Sequence, residues 1–296
     1  MTAQALWRVA VDGRVRLARG PVDQGPQELL ESAGDVDELL GEGPQTVASA
    51  IEGHAVGMVP PGARTLVPIA GQEVWASGVT YERSRQARNE EAGSPDYYDR
   101  VYEAARPELF AKAGAGRSRG PGEPIGIRAD SGWDVPEPEL GLVVDSRGEI
   151  VAYVVGNDVS SRTIEGENPL YLPQAKVYRG SCALGPCLVP TTTAPAFSEL
   201  EISLSIRRDH RELYAETVPV SRMRRRPEEL ADWLFRGMDF SVGVVLLTGT
   251  AIVPPPEFTL CAGDEVVIAI PGIGTLTNPV EVVDTGARAG AQRRPG

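Results

Sequence analysis

The sequence predicts a mixed α+β protein that is mainly β. The chain of 296 residues holds 33 glycines and 25 prolines, about a fifth of the total, which implies many turns between short strands. Runs such as residues 140–145, 150–155 and 265–270 are short, apolar and rich in β-branched side chains. One segment carries a full set of helix signals. Pro227 opens it, Glu228 and Glu229 follow, and Leu230, Trp233 and Leu234 share a face.

In chain order, residues 1–70 read as a small N-terminal α+β module. Alternation on either side of Asp12-Gly13 predicts a hairpin, and residues 28–31 and 36–40 predict short amphipathic helices. Residues 71–286 form the main domain, opening with a buried strand at 72–79. The charge-dense stretch 81–92 predicts a solvated helix or a mobile lid, composition favouring the helix. Tyr98, Val101, Tyr102 and Ala105 fall at helical spacing until Pro107 breaks the pattern, and a new segment starts at Glu108. Residues 113–132 show little regular pattern. Further strands are expected at 201–207, 212–217 and 275–283, and residues 287–296 as a flexible tail.

The net charge of −12 argues against a nucleic-acid or anionic-membrane partner, since phosphates need a basic face. The one dense basic run, Arg222 to Arg226, reads as a solvated turn before the helix. The N-terminus lacks the pattern of a signal peptide, and no apolar run approaches the ~20 residues of a membrane span. Cys182, Cys187 and Cys261 are odd in number and unlike a zinc site, so reduced thiols and a cytoplasmic location are expected.

The chemistry concentrates between Pro136 and Pro190. Glu137 and Glu139 alternate along a strand and so project to the same side. Asp158 sits at the exit of the next apolar run. Three oxygen donors from two neighbouring strands suit a hard divalent cation, Mg²⁺ or Mn²⁺. The bland alternative is solvated charge on an exposed strand. Pro136 and Pro138 speak for an edge strand or bulge, because proline donates no ladder hydrogen bond.

Taken with Asn157-Asp158-Val159-Ser160-Ser161-Arg162 and Lys176, this pattern resembles the fumarylacetoacetate hydrolase family. A C-terminal block agrees: Leu247-Thr248-Gly249-Thr250, then Gly263-Asp264-Glu265, then Gly272-Ile273-Gly274 through Asn278. The similarity spans about residues 72–284. It implies a rolled β-sheet, a homodimer or homotetramer, a metal held by Glu137, Glu139 and Asp158, and a small 2-oxo acid as substrate.

The family's reactions share the metal-stabilised enolate and differ at C4, where water is lost, a C3–C4 bond is hydrolysed, or CO₂ leaves. Members that cleave C–C bonds carry a histidine a few residues after a Tyr. Here Tyr81 is followed by Glu82 to Arg88 with no histidine, while His54 and His210 read as surface residues. What stands there instead resembles the 2-keto-3-deoxy sugar-acid dehydratase branch, through Gly78 to Tyr81, Ser84, Arg88, Glu91 and Arg106-Pro107-Glu108 to Lys112. That resemblance implies acid–base roles for Glu108, Lys176 and Glu91. It implies substrate contacts from Ser84, Arg88, Lys112, Arg162, Glu165 and Thr250. Glu108 is equally readable as a surface residue, and Lys176 as a C3 base or as a charged enolate partner. A hydrolase of a 2,4-dioxo acid, a decarboxylase of a 2-oxo diacid and a non-catalytic scaffold are the competing functions.

Overall fold

The computed structural model describes residues 3–31, 34–41, 46–92 and 96–284, without the side chains of residues 90–92, 96 and 97. The expected N-terminal hairpin is strands β1 (Gln4–Val11) and β2 (Arg14–Pro21), in register from Gln4↔Pro21 to Val11↔Arg14. Then come β3 (Glu28–Leu30), helices α1 (Val36–Leu40) and α2 (Val47–Ile51), β4 (Ala55–Met58) and β5 (Arg64–Thr65). The next stretch holds β6 (Glu73–Gly78), α3 (Glu82–Ala92), α4 (Asp96–Glu103), β7 (Glu108–Ala113), β8 (Ile125–Arg128) and β9 (Asp134–Val135). The centre is β10 (Pro138–Val144), β11 (Ile150–Asp158), β12 (Ser160–Ser161), α5 (Arg162–Glu167), α6 (Leu172–Lys176) and β13 (Cys182–Pro190). The remainder is β14 (Glu201–Arg208), β15 (Arg211–Pro219), α7 (Pro227–Phe235), β16 (Val244–Leu247), β17 (Glu265–Ile270) and β18 (Gly274–Val283).

The strands form one large sheet in the order β4-β3-β2-β1-β13-β11-β10-β16-β6-β7 and a five-stranded sheet in the order β15-β14-β17-β18-β8. They pack face to face. Leu140, Leu142, Val144 and Val155 of the large sheet meet Leu204, Val266, Ile268 and Leu276 of the smaller one. The opposite face of the large sheet is covered too. Val143, Val154, Leu184 and Leu247 pack with Val36, Leu39 and Leu40 of α1 and with Val47 and Ile51 of α2. Strands β10, β11 and β13 therefore bury side chains on both faces, which is why they read as apolar runs without alternation. The N-terminal strands join this sheet through β1 against β13, at Leu6↔Leu188.

Four expectations need correction. Residues 28–30 are a strand and not a helix: Leu30 is buried, and β3 pairs with β2 and β4. Pro138 opens a central strand rather than an edge. Its neighbour β16 begins pairing with β10 only at Gly141, so no ladder bond is asked of the proline on that side. Helix α3 is not solvated all round, because Ser84, Ala87 and Arg88 are buried. Residues 113–132 contain strand β8, whose parallel pairing with β18 is a long-range contact that local periodicity does not carry. The expected tail, 287–296, lies outside the described residues, and no helix among them is long and apolar enough to cross a membrane. Cys182 and Cys187 are buried free thiols, Cys182 pushed up to about 11 by burial, as suits packing residues.

Asp134 of β9 pairs with Ser161 and helps set the entry to Glu137. Burial raises its carboxyl to about 6, against modest help from Ser131. A carboxyl raised in the folded state holds its stabilising proton at low pH, and that contribution is lost as the pH rises through about 6. In urea unfolding across pH, the stability of Asp134→Asn relative to wild type should therefore improve up to about pH 6 and level off above it. A difference that stays constant across that interval would show that Asp134 is not perturbed.

Candidate active site

Antiparallel pairing of β10 with β11 places Pro138 opposite Asn157. This sets Glu137 and Glu139, one on each side of Pro138, beside Asp158 at the end of β11. The amide of Asp158 donates to the Glu137 carbonyl at 2.9 Å, and the Glu137 amide to Asn157 Oδ1 at 3.2 Å. The three carboxylates are buried, with one ligand atom of each within 4.8 Å of the others.

Four cations surround them. Lys176, at the end of α6, reaches Glu137 Oε1 at 3.0 Å, Asp158 Oδ2 at 3.1 Å and Ser160 Oγ at 2.6 Å. Arg162, at the start of α5, lies 3.1 Å from Glu137 Oε1. Arg88 of α3 binds the same oxygen at 3.0 Å and pairs with Glu165 of α5 through its other terminal nitrogen. Lys112 of β7 lies 2.5 Å from Asp158 Oδ1 and donates to the carbonyls of Val159 and Lys176.

Charge is distributed unevenly over these partners. Burial pushes the Glu137 carboxyl up, but Lys176 and Arg88 more than offset it and hold it at about 2. Glu139 is driven well above the ordinary carboxylate range by burial and by its neighbours Asp158 and Glu137. Among the described residues no cation pairs with it. Among these residues its Oε2 accepts only the Gly249 amide, at 2.5 Å. Gly249 is required there: its φ is +91°, and a Cβ would sit 2.1 Å from Thr80 Oγ1. A buried all-oxygen set with one uncompensated carboxylate fits a hard divalent ion, which would be held by Glu137, Glu139 and Asp158.

A narrow cleft opens onto this cluster, lined also by Ser84, Arg88, Glu108, Arg162, Glu165, Lys176 and Thr250. Glu108 is half-buried, and its carboxyl lies across Gly78, where a Cβ would stand 2.1 Å from Oε2. Burial and the neighbouring Glu165 raise its pKa, partly opposed by Arg88 and Lys176. Ser84 exchanges hydrogen bonds with the backbone of Tyr81. The carboxylates Asp158, Glu137 and Glu165 outweigh the burial that would lower the Lys176 pKa, and keep the amine charged.

Two site residues stand apart from the rest. Lys112 does not line the cleft; it lies fully buried behind Asp158 as a structural counter-ion. The side chain of Glu91 lies outside the described residues. His54 and His210 are both exposed, and neither lines the cleft. Sequence reasoning missed Ser77, Tyr98, Phe110 and Leu172, which also line it. Tyr98 was visible only as one position of an apolar helical stripe, and Phe110 only as a strand residue two before Lys112.

The Fumarylacetoacetate (FAA) hydrolase C-terminal family matches residues 73–281. The chain belongs to the fumarylacetoacetate hydrolase family. It is 48% identical over 267 residues to a probable 2-keto-3-deoxyxylonate dehydratase of Haloferax volcanii, covering 90% of this chain and 85% of that one. It is 44% identical over 222 residues to the 2-dehydro-3-deoxy-D-arabinonate dehydratase of Saccharolobus solfataricus, covering 74% of each. Among solved structures, 2-keto-3-deoxy-D-arabinonate dehydratase complexed with magnesium and 2,5-dioxopentanoate superposes with a TM-score of 0.80 at 35% identity, over 95% of this chain and 99% of that one.

If the three carboxylates hold the ion, Glu139→Gln should weaken Mg²⁺ binding by more than the ~10–100-fold typical of losing a supporting outer residue. Calorimetric titration measures this. The metal-free variant should melt no lower than metal-free wild type, because the substitution relieves a like-charge cluster. Unchanged Mg²⁺ affinity would remove Glu139 from the site.

Proposed function

We propose that the chain is a Mg²⁺- or Mn²⁺-dependent hydro-lyase that removes water from a five-carbon 2-keto-3-deoxy sugar acid. The observation that carries this reading is the Glu108 carboxyl, raised in pKa and facing the carboxylate cluster, in a cleft with no histidine to activate water. The two relatives named above agree in chemistry. With C2 a ketone and C3 a methylene, C4 is the one stereocentre left in a five-carbon acid. The xylonate- and arabinonate-derived names therefore describe one compound when C4 has the same hand. The 2,5-dioxopentanoate bound to the magnesium-containing relative has the composition of such an acid less one water.

A divalent ion at Glu137, Glu139 and Asp158 would supply the Lewis acidity that draws charge onto the 2-oxo group and acidifies the C3 proton. The chain's own groups do the rest. Among the described residues, the carboxylates Glu108, Glu137, Glu139, Asp158 and Glu165 lie close to the cations Lys112, Lys176, Arg88 and Arg162. Lys176, held by Glu137 and Asp158, stands beside the position of the ion, where its charge would stabilise the developing enolate oxygen. Glu108, when ionised, takes the C3 proton and passes it to the C4 hydroxyl, so that the C3–H and C4–O bonds break, a C3=C4 double bond forms and water leaves. The resulting 5-hydroxy-2-oxo-3-enoate becomes the 2,5-dioxo acid by proton shifts from C5 to C3 and from the C5 hydroxyl to C4. A raised pKa suits both halves of this transfer, making the carboxylate a stronger base and the acid stable between them. Thr250 and Ser84 line the wall beside the substrate oxygens.

We also infer a homodimer or homotetramer. Edge strand β4 exposes Val56 and Met58, and uncovered sheet edges invite pairing. Light scattering at micromolar concentration should give an oligomer, and a monomer would contradict this.

Ultraviolet and mass detection of products from a panel of 3-deoxy-2-oxo acids tests the reaction. Loss of water is expected, with Mg²⁺ required. Release of two fragments from a 2,4-dioxo acid at a higher rate would make the chain a hydrolase instead. Glu108→Gln should lose ~10²–10⁴-fold in turnover. It should bind pyruvate with Mg²⁺ as wild type does.

A further inference from the structure

In the basic run 222–226, Arg222, Arg224 and Arg226 are exposed as a solvated turn would have them, but one arginine departs from that reading, and the run takes no part in the chemistry above. Arg225 is buried. Its guanidinium donates to the carbonyls of Val101 at 3.1 Å, Ala104 at 2.7 Å and Ala105 at 3.2 Å, and pairs with Glu229 at 2.8 Å. The Val101 carbonyl belongs to the last turn of α4, and those of Ala104 and Ala105 follow directly after it; the last carbonyls of a helix lack intrahelical partners and carry partial negative charge. Arg224 donates to the Tyr102 carbonyl and stands 4.7 Å from the centre of its ring. Arg85 of α3 stands 5.4 Å from the same ring and binds Asp99 at 2.7 Å. Helix α4 is thus clamped along its side and at its end.

One turn before Tyr102, on the same side of the helix, is Tyr98, which lines the cleft. The cleft has a direction. Glu137, Glu139 and Asp158 at its floor are buried, while Tyr98, Glu108 and Leu172 towards its mouth are partly exposed. A 2-oxo acid anchored at the floor through C1 and C2 sends C4 and C5 towards that mouth. Resting on the metal-anchored reading above, we propose that Tyr98 contacts the C5 hydroxyl and sets substrate length, with Arg225 as the residue that positions it.

The test is calorimetric titration of the Mg²⁺-loaded full-length protein with pyruvate and with 5-hydroxy-2-oxopentanoate. The latter has no C4 hydroxyl to lose and so is not dehydrated. Tyr98→Phe should weaken 5-hydroxy-2-oxopentanoate by about 3–10-fold, as expected for one neutral hydrogen bond, and leave pyruvate unchanged. Arg225→Ala should show the same selective loss, and Arg225→Lys should recover part of it. A merely structural role for Arg225 would weaken both acids together. Equal losses for the two acids, or none in Tyr98→Phe, would overturn the proposal. If wild type dehydrates no 3-deoxy-2-oxo acid while the selective loss holds, the reaction assignment fails and the role of Tyr98 stands.

Discussion

Three carboxylates buried within 4.8 Å of one another are the constraint around which this protein is organised. In isolation such a cluster is strongly unfavourable, because burial and mutual repulsion both oppose ionisation. The fold answers with cations drawn from separate elements: Arg88 from α3, Lys112 from β7, Arg162 from α5 and Lys176 from α6. Glu137 receives three of them on one oxygen and becomes strongly acidic, whereas Glu139 receives a single amide and does not. This imbalance leaves the pocket prepared for a divalent ion.

Much of this was legible in the sequence because period-two geometry is local. Glu137 and Glu139 share a face wherever residues 137–139 are extended, and Asp158 ends an apolar run of strand length. The boundaries of β17 and the hairpin at Asp12-Gly13 follow from equally local signals. What escaped depends on partners far along the chain. Strand β8 exists through its pairing with β18, and Pro138 is admitted to a central strand because β16 starts its ladder three residues later. Lys112 sits in the dehydratase-like stretch, yet only packing reveals that it faces the back of Asp158.

The basic run 222–226 and the stripe from Tyr98 to Ala105 illustrate a second limit. Each has an ordinary reading alone, as a solvated turn and as a helix core. Together they are one device, since Arg225 donates to four carbonyls in and just after the helix end, those of Val101, Ala104, Ala105 and Arg106. Charge density marks surface in most chains, but a guanidinium with five donors is also suited to closing a helix terminus. Sequence reading sees the residue type and not the acceptors that surround it.

The hydrogen bond from Gly249 to Glu139 spans 110 positions, and β6 pairs with β16 across a still longer interval. On a ribosome adding about 5–20 residues per second, Glu139 waits roughly 5–20 s for that partner. Through that interval the nascent chain carries its acidic cluster without the strand that completes the large sheet. Assembly of the catalytic pocket is therefore a late event, and a chain that ends after β10 but before Val244 lacks β16 and leaves β10 and β6 unpaired on the sides it would fill.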